Sequence, residues 1–334
     1  MRDVVLLGAA LVSTDAFALD VALVHGWSSG GNAPQFVADT LYATGKVTSV
    51  SLLDGLRVTP TAVQLASFDA VLLMPDSPFA DPAALGTSLA AYVDGGGGVV
   101  EIMYSFTGHG YVGDPWVSMG YRPFDGTRPQ SSFTGQLVAV LPTHQLLKGV
   151  TSFHAANNYR ATGITVQPGA DLVANWQDDV PLLAAHAPTG AGIVVGINAL
   201  MHFGTWDLAT DGAMLLGNAI EYAATGRVED RPHMTTAASS CPGTVQIIID
   251  GATGGGAVNL ATGQVGGGFT VPGGPCAGTF LPIGRPQLRG QVNADPLGRI
   301  SLVFQAPQAV CGAPVVAVDT NTCQVSNVGT IPIR

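Results

Sequence analysis

Residues 21–31 read VALVHGWSSGG, and the fold class turns on what this stretch does. Gly26-Trp27-Ser28-Ser29-Gly30 fits the G-x-S-x-G pattern of a serine-hydrolase elbow, in which Ser28 would be the nucleophile. Glycine supplies 44 of the 334 residues, so the pattern arises easily by composition. The surrounding text points elsewhere. The runs VTSVSLL (47–53), DAVLLMPD (69–76) and GVVEIMYS (98–105) have strand length and β-branched content. Between them, PQFVADTLYATG and DPAALGTSLAAYVDGG space their apolar residues as helices do. The second opens with Asp81 as N-cap and Pro82 at N1, and stops at the glycine run 95–98. Alternating strands and helices predict an α/β, flavodoxin-like, doubly wound parallel sheet covered on both faces.

In that frame VALVHG is the first strand, and GWSSGG is the loop at the carboxyl edge, where such sheets form their crevice. A hydrolase elbow would come much later in the chain, after its own His-Gly oxyanion loop. Ser28 is therefore expected in a ligand or oxyanion loop, or, with Ser29, as a cap on the following helix.

Beyond a loop-rich stretch at 106–134, LVAVL, DLVANW, VPLLAAH and GAGIVVGIN read as further strands. A last helix, DGAMLLGNAIEYAATG, has Ile220, Tyr222 and Ala223 inward and Gly226 as its stop. The charged, Pro-containing segment 227–240 reads as a linker between an α/β domain at 19–226 and a second domain at 241–334. That second domain shows short alternating runs between Gly, Pro and Asn clusters, the pattern of a smaller all-β sandwich. Its charged residues are Asp250, Arg285, Arg289, Asp295, Arg299, Asp319 and Arg334, with no Lys or Glu.

The formal charge of −10 argues against a nucleic-acid partner, which requires clustered Lys and Arg. Charged residues are 11% of the chain, against roughly 25% in ordinary soluble domains. Residues 1–18 (MRDVVLLGAALVSTDAFA) carry Arg2, an apolar run from Val4 to Val12 and an A-x-A site before Leu19, as in a secretory signal peptide; the rival reading is a buried strand or an anchor. The run is too short to span a bilayer, and no transmembrane segment is expected. All four cysteines, Cys241, Cys276, Cys311 and Cys323, follow residue 240 without C-x-x-C spacing, which favours two disulfides over zinc. Three pairings are open, and Cys241–Cys276 with Cys311–Cys323 is preferred. The scattered histidines offer no metal-ligand spacing, and nothing implies a cofactor.

The order of these segments resembles the class I glutamine amidotransferase-like superfamily, nearest its ThuA-like branch, over about residues 20–225. The resemblance is carried by His25-Gly26 closing the first strand, DAVLLMPD, LAAYVDGGGGVVEIM, THQLLKGVTSF and GAGIVVGIN. In that superfamily a Cys follows the fourth of these strands as nucleophile, with a His as base. Here the corresponding turn falls near Met103, Tyr104 and Ser105, and no Cys precedes residue 241. A thioether cannot be deprotonated, and Tyr104 would need a strongly lowered pKa. The resemblance thus implies the fold without the amidotransferase chemistry. The second domain resembles disulfide-bonded β-sandwich modules at the carboxyl ends of bacterial exported proteins, carried by Cys241-Pro242-Gly243, the stretch 273–278 and the Cys311/Cys323 pair.

The candidate crevice comprises His25, Trp27, Ser28, Asp76, Ser77, Tyr104, Ser105, His202 and Asp207. A Ser105-His-Asp arrangement would draw on His202 or His109. Two functions are expected to compete. One is a non-catalytic, exported or cell-surface structural protein that forms a homo-oligomer or polymer, since uncharged strand edges lack the usual guard against pairing; Thr270 and Gln305 are expected on such edges. The other is a secreted hydrolase or glycan-binding protein using the crevice, with Trp27, Trp116, Trp176 or Trp206 as a stacking platform.

Overall fold

A computed structural model describes residues 19–107, 111–126, 130–238 and 240–331. The expected signal peptide and His109 lie outside the described residues. The α/β part runs β1 (Leu19–Gly26), α1 (Ala33–Ala43), β2 (Val47–Asp54), the short α2 (Ala62–Leu65), β3 (Ala70–Pro75), α3 (Pro82–Asp94) and β4 (Gly98–Ile102). After β5 (Phe124–Asp125) come β6 (Gln130–Ala139), β7 (His154–Ala161), β8 (Thr165–Val166), β9 (Asp171–Trp176), β10 (Pro181–His186), β11 (Val194–Ile197) and α4 (Gly212–Thr225). β5 and β8 form a separate two-stranded ribbon.

One sheet has the order β2-β1-β3-β4-β11-β10-β9-β6-β7. From β2 to β11 neighbours are parallel, in the flavodoxin-like order. The expectation of a parallel sheet fails beyond β11, where every pairing is antiparallel. The cause is connection length: only residues 177–180 separate β9 from β10, and a parallel crossover needs a dozen or more residues.

Helices cover both faces of the parallel half. α1 and α4 pack Val37, Leu41, Leu216 and Ile220 against Val21, Leu23, Leu72 and Val100. On the other face, Leu65 of α2 and Leu85, Leu89 and Val93 of α3 pack on Val24, Val71 and Val99. Alternate residues of each strand thus serve opposite cores, which is why these strands read as continuous apolar runs. Asp81 caps α3 by accepting from the Ala84 N–H at 2.9 Å, and Gly226 ends α4 in the left-handed region at φ 73°.

The second part contains β12 (His233–Ala238), β13 (Gly243–Asp250), β14 (Ala257–Gln264), the ribbon β15 (Phe269–Thr270) with β16 (Phe280–Leu281), β17 (Gly284–Asn293), β18 (Ile300–Ala306), β19 (Pro314–Asp319) and β20 (Gly329–Thr330). Sheets β12-β13-β18 and β17-β14-β19-β20 are antiparallel and share a core of Val245, Ile247, Val258, Leu260, Val315 and Ala317. Part of the expected linker is strand: the whole of β12 pairs with residues 245–250 of β13, with Met234 buried in this core.

The disulfides are Cys241–Cys311 and Cys276–Cys323, which corrects the preferred pairing. β13 and β18 pair with Gly243 opposite Ala306, so the cysteines just outside those strands meet. Cys311 and Cys323 lie at opposite ends of β19, whose six residues at about 3.3 Å each hold them roughly 20 Å apart. Proximity in sequence misled because an extended strand intervenes.

The two parts are joined by polar contacts. Val328 N–H donates to Ala43 O at 2.6 Å and the Arg231 guanidinium to Gly45 O at 3.2 Å. Glu221 of α4 lies buried between Lys46 and Arg231, 3.3 Å from the latter. Burial pushes the Lys46 ammonium below the usual lysine range, and the Glu221 carboxylate opposes that shift.

Candidate functional site

The crevice is built where β1 and β3 end. Gly26 has no room for a side chain, since a Cβ there would meet Ser77 O at 2.5 Å. This close approach sets the β1 loop against the β3 loop. The Asp76 carboxylate then gathers the loop: one oxygen accepts from Ser28 N–H at 3.2 Å, Ser28 Oγ at 3.2 Å and Ser29 Oγ at 2.8 Å. Ser28 Oγ also lies 2.6 Å from Ser77 Oγ. Neither serine caps α1, whose N-cap is Asn32 and carries no side-chain cap bond.

Aromatic rings flank this hydroxyl–carboxylate cradle. Trp27, half-buried, meets His202 edge to face at 4.9 Å, and its indole N–H donates to Gly30 O at 3.2 Å. Tyr104 and Tyr111 meet at 6.1 Å, and the Tyr111 hydroxyl donates to Asp76 O at 3.3 Å. The other tryptophans of the expected platform are core: Trp116, Trp176 and Trp206 are at most 5% exposed. Each fills a gap between layers and is closed to stacking.

The surroundings of Tyr104 disfavour its use as a nucleophile. Burial, then the charge of Asp76 and the neighbouring tyrosines, pushes the Tyr104 hydroxyl up to about 12, the direction opposite to activation. Burial lowers His202 below the ordinary histidine range, with the Phe203 carbonyl and Asp76 opposing it. Its Nδ1 faces Phe203 O at 3.0 Å. Burial likewise lowers His25, against the pull of Asp54, and His25 Nδ1 accepts the Trp27 N–H at 3.5 Å. Ser28 Oγ has a carboxylate and a hydroxyl as its hydrogen-bond partners, with no histidine on it among the described residues.

The structure thus brings together His25, Trp27, Ser28, Asp76, Ser77, Tyr104 and His202, and separates Ser105 and Asp207 from them. β4 leads into a 3₁₀ turn at Met103–Phe106, in which no residue has the positive φ of a strained elbow. Ser105 is buried, its Oγ has no hydrogen-bond partner among the described residues, and its carbonyl accepts from Arg122 at 2.8 Å. Asp207 is exposed, and its carboxylate accepts from Ala209 N–H at 2.9 Å. The Ser105-His202-Asp arrangement is not assembled. Among the described residues no cluster of His, Cys, Asp and Glu could hold a metal.

The sequence offered Ser29 only as a helix cap, and gave no place to Tyr111 or, beneath the crevice, to Glu101. A carboxyl in the middle of GVVEI was the signal to follow, since a buried parallel strand rarely holds one. Glu101 is fully buried, accepts from the Trp116 indole at 3.0 Å and feels the charge of Arg122. Burial outweighs both and pushes its carboxyl up from 4.5 to about 7. A folded-state pKa raised above the unfolded value means that the native protein binds the extra proton between those values. Stability should therefore fall by about 3 kcal/mol as pH rises from about 4.5 to about 7, and stay flat above. In Glu101→Gln this decline should vanish from urea denaturation at pH 5 and pH 8. An undiminished decline in the variant would assign it to other groups.

No family model and no curated protein matches the sequence. Among solved structures, the chain is similar to a ThuA-like protein from Bacteroides uniformis, with TM-score 0.45, 12% identity, and 66% of this chain and 96% of that chain covered. It is also similar to a GMP synthase protein from Thermoplasma acidophilum, with TM-score 0.42, 12% identity, and 63% of this chain and 96% of that chain covered.

Proposed function

We propose that the protein is an exported or cell-surface structural protein, non-catalytic, whose α/β domain serves as an interaction scaffold and whose disulfide-bonded β-sandwich mediates self-assembly. The observation that carries this reading is the tie between Ser28 and Asp76: the one serine in a nucleophile-like motif is held by a carboxylate and hydroxyls, with no histidine on its Oγ among the described residues. Two disulfides support export, because such bonds persist in oxidising compartments. Among the described residues no helix is long and apolar enough to cross a membrane.

A second reading is supported by the half-buried Trp27 and the tyrosines around the Asp76 cradle. Ring faces beside clustered hydroxyls and a carboxylate suit a glycan, held by stacking and hydrogen bonds to its hydroxyls.

Ser28→Ala and Ser105→Ala should leave any ester or amide hydrolysis by the protein unchanged. A fall beyond about 100-fold in either, the scale of losing a catalytic group, would restore an enzymatic reading. The assembly reading requires the full chain to associate with rising concentration in sedimentation experiments.

A further inference from the structure

Strand β18 reads ISLVFQA and is paired on one side only, by β13. Among the described residues its other backbone edge pairs with no strand. Two of its apolar residues are solvent-facing, Val303 at 65% and Phe304 at 37% exposure. The neighbouring free edge, β17, carries the usual guards in Arg285, Pro286 and Arg289. β18 has neither a charge nor a proline between Ile300 and Ala306. Beside it, Leu302 and Phe304 line an apolar cleft of about 380 Å³ between the two sheets, with Ile247, Leu260 and Val292 on its walls.

The strand matches itself. Antiparallel pairing about Val303 sets Val303 opposite Val303, Leu302 opposite Phe304, Ser301 opposite Gln305 and Ile300 opposite Ala306. Apolar then faces apolar on the cleft side, the outer side pairs Val303 with itself and Ser301 with Gln305, and no charge meets a like charge. The formal charge of −10 lies elsewhere in the chain, so a charged partner gains no Coulomb attraction along this edge. Size agrees with a reversible contact. Seven residues at about 3.3 Å each and a sheet about 10 Å deep cover roughly 460 Å² over two copies. That is the area of a weak, reversible contact, below the about 1,000 Å² of a specific stable interface.

We infer that two copies of this chain join through β18, edge to edge and antiparallel about Val303, an inference that rests on the proposed reading of the β module as an assembly surface.

Sedimentation velocity on the full chain tests it, beside Val303→Lys, which places a charge on an exposed position without touching the core. The unaltered chain should show a concentration-dependent dimer, and Val303→Lys should raise its Kd at least tenfold with an unchanged melting curve. Under oxidation Val303→Cys should form a disulfide-linked dimer, since facing residues of paired strands lie within bridging distance. It should do so much faster than Leu297→Cys, a control at a 91%-exposed position. A dimer unaffected by Val303→Lys overturns the β18 contact and leaves self-assembly standing. A monomer at every concentration overturns both. A monomer whose β18 amides resist hydrogen exchange would mean that another part of the same chain covers the edge, and also overturns the inference.

Discussion

Glu221→Ala is expected to destabilise the protein by about 3–5 kcal/mol, the scale for removing one partner of a buried ion pair. The carboxylate is 2% exposed and serves two cations, Lys46 at 3% and Arg231 at 8%. Without it, Lys46 lies in a low-dielectric interior stripped of its ion-pair carboxylate, and Arg231 loses one of its contacts. The consequence reaches beyond α4. Arg231 belongs to the segment that leads into β12, and it also donates to Gly45 O, beside the turn that receives Val328 of the second part. Loss of Glu221 should therefore free this segment as well, and limited proteolysis should cut near residues 227–232 sooner than in the unaltered chain. Urea denaturation provides the energy. A change under about 1 kcal/mol would mean that water already solvates the pair and that the domain contact rests on other groups. Lys46→Met combined with Glu221→Leu should recover only the part of the loss that comes from Lys46, because Met and Leu carry no desolvation penalty while Arg231 still lacks the Glu221 carboxylate.

Cys241→Ser with Cys311→Ser should cost about 4 kcal/mol, because the bridge closes a loop with a sequence separation of 70, and loop-closure entropy in the unfolded chain scales with the logarithm of that length. The effect should be confined to the β module in a differential scanning experiment on the full chain, since both bridges lie within it. The second bridge, with a separation of 47, should contribute a similar amount. The two closed loops interlock, so their contributions will not add. Mass spectrometry of unreduced peptides should recover Cys241 with Cys311 and Cys276 with Cys323. Recovery of Cys311 with Cys323 would contradict the position of β19 between them.

The two experiments bear on different parts of the molecule. Glu221 concerns whether the α/β domain and the β module act as one scaffold, and the disulfides concern whether the module survives outside a reducing compartment. The choice between a structural and a glycan-binding use of the crevice rests instead on Ser28 and Trp27, which are bound into the loop by Asp76 and Gly30.

Much of the α/β domain was legible because its signals are local. The apolar runs of β1, β3 and β4, the Asp81-Pro82 start of α3 and the Gly226 stop of α4 each depend on periodicity or dihedral preference within a few residues. The crevice was legible at the level of its edge, because a strand followed by a Gly-rich loop must deliver that loop to the carboxyl side of the sheet. That logic grouped His25, Trp27, Ser28, Asp76 and Ser77, which lie near one another at the ends of β1 and β3. It could not exclude Ser105 or Asp207: whether a side chain one or two residues past a strand faces the crevice or the core depends on the turn, here a 3₁₀ turn that buries Ser105.

By itself, then, the sequence determined β1 to β4 and the helices α1, α3 and α4, where the β1 loop lies, and that four cysteines fall in one module. Tertiary structure alone decided that the sheet becomes antiparallel beyond β11, that Cys241 finds Cys311, that Asp76 collects the hydroxyls of Ser28 and Ser29, and that Glu221 holds Lys46 and Arg231. The physical reason is range. Helix caps and apolar periods act over one or two turns of chain. Strand neighbours, bridges and buried ion pairs join residues tens to hundreds of positions apart, and their partners follow from how all the layers pack at once.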